Sequence, residues 1–213
     1  IHWPASAASN YLVGVGMSDI TGEAAEVGMM GYAELGQKTS GIHQRLRARA
    51  FISEDVATHK TVALVVTDLG LVTQSIHQAV LAKLATRYGQ LYNQQNLVIT
   101  ATHTHAGPGG YSHYALYNIT ILGFQKATFN AIVDGIVESI DRAHASKAPG
   151  DILVNQGDLT TVSKNRSSTA FQRNPASDRA AFPQEIDPLM TVLTFKKGGQ
   201  AVGALSLFPT HGT

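Results

Sequence analysis

Two short apolar runs flanking a helical stripe constrain the fold of this chain more than any other feature. The first run is Thr61–Thr67, TVALVVT, continuous and largely β-branched, which predicts a strand buried on both faces. Ile76, Val80, Leu81 and Leu84 then recur at helical spacing across residues 75–88, and Gly89 supplies a C′ stop. The second run, Leu97–Ala101 (LVITA), is the next buried strand. Further on, Phe129, Ile132, Val133, Ile136, Val137 and Ile140 form the clearest helical stripe in the chain. Strand, helix, strand, helix gives an α/β class: a mixed, partly parallel sheet flanked by helices, with long ordered loops.

Other segments fit around this unit. Residues 1–10 read as an irregular arm and residues 11–20 as a strand. Residues 21–44, rich in Gly and Met, read as a long ordered loop. Residues 45–52 alternate charged and apolar side chains, so they predict a strand with one wet or partner-facing side. Pro149-Gly150 ends the second helical segment, and residues 152–154, 190–195 and 201–208 read as strands. Lys197-Gly198-Gly199-Gln200 predicts a hairpin turn between the last two. Residues 163–188 form a long polar segment of the kind that often carries function.

Composition narrows the chemistry. The 213 residues can bury one good core or two small ones. Only 15% are charged, which suits a heavily buried α/β domain or a piece whose surface meets another piece. A net charge of +1 gives no electrostatic case for nucleic acid or an anionic membrane. With no cysteine, any metal must be held by His, carboxylate, Tyr or backbone oxygen. No apolar stretch approaches the ~20 residues of a spanning helix.

The chemistry-bearing residues cluster after strands. Thr102-His103-Thr104-His105-Ala106-Gly107-Pro108-Gly109-Gly110 follows the Leu97 strand, Asp68 ends the Thr61 strand, and His211 follows the last strand. Ligands in open α/β sheets sit beyond the carboxyl ends of strands. If the Thr61 and Leu97 strands are parallel neighbours, Asp68 and His103 lie close. In an extended segment His103 and His105 point to the same side. That spacing suits a zinc site, ahead of the alternative of a hydrogen-bonded, partly buried histidine pair. For Asp68 the plainer role is to cap the following turn, and for Asp19 a plain turn outweighs a structural cation site. His113, between Tyr111 and Tyr114, suits loop packing or a substrate wall. Met29 and Met30 suit the core or a site lining. His2, His43, His59, His77 and His144 carry no supporting context. Arg166, inside the polar segment, could clamp an oxyanion or carboxylate, or stand as a solvated surface group. The Gly107–Gly110 loop lacks both phosphate-binding signatures, which disfavours a nucleotide-binding domain.

Asp19-Ile20-Thr21-Gly22, Met30-Gly31-Tyr32, residues 47–51, Thr67-Asp68-Leu69-Gly70, residues 102–110, Gly123-Phe124, Asn165-Arg166-Ser167 and residues 208–211 fall in order along the chain. Together they resemble the amino-terminal part of the neutral ceramidase family, its bacterial branch above all. The resemblance implies a zinc-dependent amidase that hydrolyses the N-acyl bond of ceramide to sphingosine and fatty acid through zinc-activated water. His103 would be the first zinc ligand and His211 the second. His105 would sit beside the metal for proton transfer or to hold the substrate carbonyl, and Arg166 would bind the reacting amide or the product carboxylate. An apolar cleft would receive the lipid chains. The family is typically secreted, periplasmic or on the outer cell surface, which is compatible with contact at a membrane surface. Its remaining zinc ligands, a glutamate and a tyrosine, come from later sequence. The expectation is therefore an amino-terminal part of a catalytic domain, spanning 1–213, whose site is completed by the carboxy-terminal part of the same enzyme. The competing readings are a non-catalytic lipid-binding module and an unrelated zinc amidohydrolase.

Overall fold

The computed structural model describes residues 9–211, and the chain divides after Asp151 into two units. The first contains β1 (Tyr11–Asp19), β2 (Ala25–Gly28), β3 (Lys38–Ser40), β4 (Arg47–Asp55), β5 (Thr61–Thr67), α1 (Gln74–Tyr88), β6 (Leu97–Ala101), a 3-10 turn at Ala115–Asn118, α2 (Lys126–Ala145) and the start of β7 (Ala148–Asp158). Its sheet runs in the order β6-β5-β4-β1-β7. The β1/β4, β4/β5 and β1/β7 pairs are antiparallel, and β5/β6 is parallel, with Thr67 opposite Ala101. The sheet is therefore mixed and mostly antiparallel, in keeping with the expected mixed, partly parallel sheet, and its parallel pair is the one that α1 connects.

Helix α1 starts where Thr73 accepts a hydrogen bond from the Ile76 N–H, and it stops at Gly89, whose φ is 58°. One core cluster joins Ala48, Ala50 and Ile52 of β4 and Ala63 and Val65 of β5 to Ile76, Val80 and Leu84 of α1 and Ile132, Ile136 and Ile140 of α2. All the strand members lie at alternate positions, so both helices cover one face of the sheet. The opposite face differs from the sequence expectation. Val62 is 48% exposed and Val98 51%, so β5 and β6 are buried on one face only. A continuous apolar run states that neither face is polar, whereas which face gains a helix is a matter of topology.

Close approach of α2 to the sheet depends on small residues. A Cβ on Gly16 would lie 2.3 Å from the Ser139 carbonyl oxygen, and one on Gly135 would lie 2.1 Å from that of Asp19. These glycines let the backbones of helix and strand touch.

Two further expectations need correction. Residues 21–44 are not loop throughout: β2 and β3 form an antiparallel ladder with a register shift between Ala25 and Gly28. An irregular ladder this short imprints no period on the sequence. Pro149-Gly150 does not end α2, which finishes at Ala145; both residues lie in β7, paired with Leu12 and Tyr11.

The second unit holds the remainder of β7, two short helices α3 (Ser168–Phe171) and α4 (Ala176–Ala181), and the hairpin β8 (Leu189–Lys197) and β9 (Gln200–Leu207). Its strands run in the order β7-β8-β9. The hairpin turns at Gly198 and Gly199, whose φ values are 54° and 79°, at the position the sequence predicts.

Candidate functional site

The Thr102–His105 segment leaves β6 as an extension of the parallel ladder. The Thr102 N–H donates to the Thr67 carbonyl at 2.9 Å, and the Thr104 N–H to the Leu69 carbonyl at 3.1 Å. His103 sits between them at φ 60°, left-handed backbone that a side chain adopts only when its surroundings hold it. Its Nδ1 hydrogen-bonds the Gly70 carbonyl. A carbonyl only accepts, so Nδ1 carries the proton and Nε2 presents its lone pair. His105 Nε2 lies 3.3 Å from that Nε2, and the two rings meet edge to face at 4.8 Å. Two imidazole nitrogens thus converge, an arrangement that suits a shared proton or a soft-to-borderline metal ion.

His105 is fixed from the β2–β3 side. The Gln37 side-chain amide donates to its carbonyl at 3.3 Å, and Tyr32 meets its ring edge-on at 4.4 Å. Gly31, at φ 138°, packs so closely that a Cβ there would stand 2.4 Å from the His105 Cγ. Backbone bonds from Met30 to Gly107 (3.0 Å) and from Gly109 to Gly28 (2.9 Å) tie the glycine-rich loop to the same segment. Within the first unit, Thr102 and Thr104 also line a cleft of about 350 Å³, together with Thr39, Ile42, His43 and Leu46.

Asp68 does not cap the turn that follows it; its carboxylate bonds back to β4. One carboxylate oxygen accepts the Arg47 N–H at 2.9 Å and the other accepts Arg49 Nη1 at 2.8 Å. Asp19 does make a local turn, accepting the Thr21 N–H at 2.7 Å, with Arg45 and Arg47 at 3.5 and 3.6 Å. His113 packs on Phe124 and stacks on Phe129. Met30 is core, while Met29 lines the cleft. His77 reaches the Leu97 carbonyl, His59 pairs with Glu54, and His144 bonds the Tyr92 hydroxyl at 2.7 Å. His2 lies outside the described residues. In the second unit, Arg166 is exposed in the turn before α3, and His211 is exposed after β9.

Sequence reasoning passed over Gly70, Tyr32 and Gln37 as residues that hold the two histidines. Gly70 acts through its carbonyl, which every residue possesses, so no side-chain signal marks it.

A mixed α/β sheet with an imidazole pair just past the carboxyl end of a parallel strand defines the class: an α/β domain with a histidine-based site. Residues 11–213 match the family described as neutral/alkaline non-lysosomal ceramidase, N-terminal, and the chain belongs to that family. It is 51% identical to the neutral ceramidase of Pseudomonas aeruginosa, covering 95% of this chain and 30% of that protein. It is also 51% identical to the neutral ceramidase of Mycobacterium tuberculosis, over 94% of this chain and 32% of the relative. The crystal structure of the Pseudomonas aeruginosa enzyme superposes with a TM-score of 0.92, over 95% of this chain and 32% of that one. A structure described as ceramidase complexed with C2 gives the same score, over 31% of its chain. The chain thus spans about a third of the length of the relatives it matches.

Proposed function

We propose that this chain is the amino-terminal part of the catalytic domain of an enzyme that hydrolyses the N-acyl amide bond of ceramide to sphingosine and fatty acid. In this reading zinc is held by His103 and His211, and His105 and Arg166 serve the reaction. The observation that carries it is the hydrogen bond from His103 Nδ1 to Gly70, which turns the ligating Nε2 toward His105. Membership of the ceramidase family supplies the substrate class.

Bound zinc supplies Lewis acidity and brings the pKa of water to near 7. The chain's own residues do the rest. His103 keeps its proton on Nδ1, so its Nε2 stays available. His105, held by Gln37 and Tyr32, accepts a proton at its ring and returns it to the leaving amine of the sphingoid base. Arg166 offers its fixed fork of N–H donors to the oxyanion and then to the fatty-acid carboxylate. The apolar part of the cleft, Ile42 and Leu46 among its residues, receives lipid chain. The remaining ligands come from the carboxy-terminal part of the same enzyme, and the protein works outside the cytoplasm or at the outer cell surface, where it touches the membrane that holds its substrate.

The test uses the full-length natural polypeptide, a fluorescent ceramide and zinc analysis on the same sample. His103→Ala should remove zinc and hydrolysis together. Full hydrolysis without metal would sink the zinc reading, and ceramide binding that survives chelation without any turnover would favour a lipid-binding module instead.

A further inference from the structure

Behind the His103–Gly70 contact lies a side chain that the reaction as proposed does not use. Tyr111 is fully buried, and its hydroxyl spans the backbone of Leu71: it donates to the Leu71 carbonyl at 3.2 Å and accepts the Leu71 N–H at 3.4 Å. The other end of the residue is anchored too, since the Tyr111 carbonyl accepts from Thr73 Oγ1 and Ser75 Oγ, both at 3.4 Å. Leu69, Gly70 and Leu71 form the turn that receives His103, with the Leu69 carbonyl taking the Thr104 N–H and the Gly70 carbonyl taking His103 Nδ1. One face of that turn therefore meets the histidine motif, and the other is clamped by a buried phenol.

We infer that Tyr111 is a positioning residue for His103: its hydroxyl fixes the Gly70-Leu71 turn, and through the Gly70 carbonyl it sets the tautomer and aim of the histidine. The inference rests on the zinc reading above. Groups that orient a metal-ligating histidine from behind change metal affinity about 10–100-fold when removed. The turn offers His103 one carbonyl, and a turn released from the hydroxyl can rotate that carbonyl away. Gly70 itself leaves little slack in the other direction, because a Cβ there would stand 2.7 Å from the Met30 Cγ.

A second buried tyrosine provides the control. Tyr92 is 2% exposed and bonds His144 at 2.7 Å, in the segment that precedes β6, whereas the histidine motif follows it. Tyr111→Phe and Tyr92→Phe each delete one buried hydroxyl and keep the ring. The measurements are zinc affinity, by competition with a chromophoric chelator, and the Tm of the metal-free full-length polypeptide. We expect comparable losses of Tm in both variants, with zinc binding weakened about 10-fold or more by Tyr111→Phe and changed less than about 2-fold by Tyr92→Phe. Equal zinc affinities in the two variants would overturn the inference. Should Tyr111→Phe fail to fold, Ser75→Ala, which removes one anchor of the Tyr111 carbonyl, is judged by the same comparison. His103→Ala separates the two levels of the argument. If it leaves zinc affinity intact, the metal reading fails; if it abolishes binding while Tyr111→Phe does not weaken it, only the role of Tyr111 fails.

Discussion

The imidazole of His103 takes its orientation from one backbone carbonyl, and that of His105 from a tyrosine edge, a glutamine amide and a glycine with no room for a side chain. At this scale the residue types were legible and their partners were not. The spacing of His103 and His105 needs only neighbours in sequence and could be read directly, whereas the Asp68 carboxylate, expected to cap its own turn, instead bonds Arg47 and Arg49 of β4, 21 and 19 residues away. Gly70 and Gln37 act across sequence separations of 33 and 68 residues, beyond the reach of a local pattern. Two substitutions test the residue scale. Arg166→Ala should retain zinc and lower kcat about 10²-fold, the usual effect of removing one oxyanion donor; loss of zinc in this variant would place Arg166 in metal binding instead. Gly31→Ala adds a Cβ against His105 at φ 138°, so we expect a destabilisation of about 1–3 kcal/mol together with lost turnover. Thermal unfolding and ceramide hydrolysis check the two halves of that expectation.

Among the elements, α2 and its strand seam decide how the first unit is built. The stripe Phe129–Ile140 announced the helix, and alternation in residues 45–52 announced β4, whose Ala48, Ala50 and Ile52 face the core while Arg47 and Arg49 meet Asp19 and Asp68. Hydrophobic period is a local property, so these elements could be read directly. The seam could not, because Gly16 and Gly135 lie 119 positions apart and matter only where β1 and α2 touch. Gly135→Ala should cost about 2 kcal/mol or more, since its Cβ meets backbone that cannot swing aside. A Tm within a degree of the parent protein would show that the helix shifts to make room. The antiparallel pairings of β1, β4 and β5 were likewise not specified by alternation, which is the same in either direction.

Over the whole molecule, ionisation ties stability to pH. The Lys147 ammonium lowers the Glu54 carboxyl below its ordinary 4.5, and the Ser18 hydroxyl and Arg142 do the same for Glu138. Burial opposes the effect at Asp19, but bonds from Thr21 and the charges of Arg45 and Arg47 outweigh it and hold the carboxyl below 3.8. Burial, with help from Lys147, lowers His144 below 6.5. For each of these groups the unfolded chain binds protons that the folded chain does not, so stability falls as pH falls. The decline should begin with His144 below about pH 6.5 and steepen below about 4.5 as the carboxylates join. On the alkaline side, burial raises Tyr92, and it raises Tyr111 to about 12. The unfolded chain loses those protons first, so stability should also fall above about pH 10. A Tm profile from pH 3 to 11, with the acid limb flattened in His144→Gln between pH 5 and 7, checks the assignment. The sequence by itself determined the α/β class, the strands and helices with clear period, and the histidine motif, because each is written in residues close together along the chain. Only the tertiary structure decided which sheet face the helices cover, the direction of most strand pairs, and the backbone carbonyl that aims His103, because these depend on contacts between segments that share no local pattern.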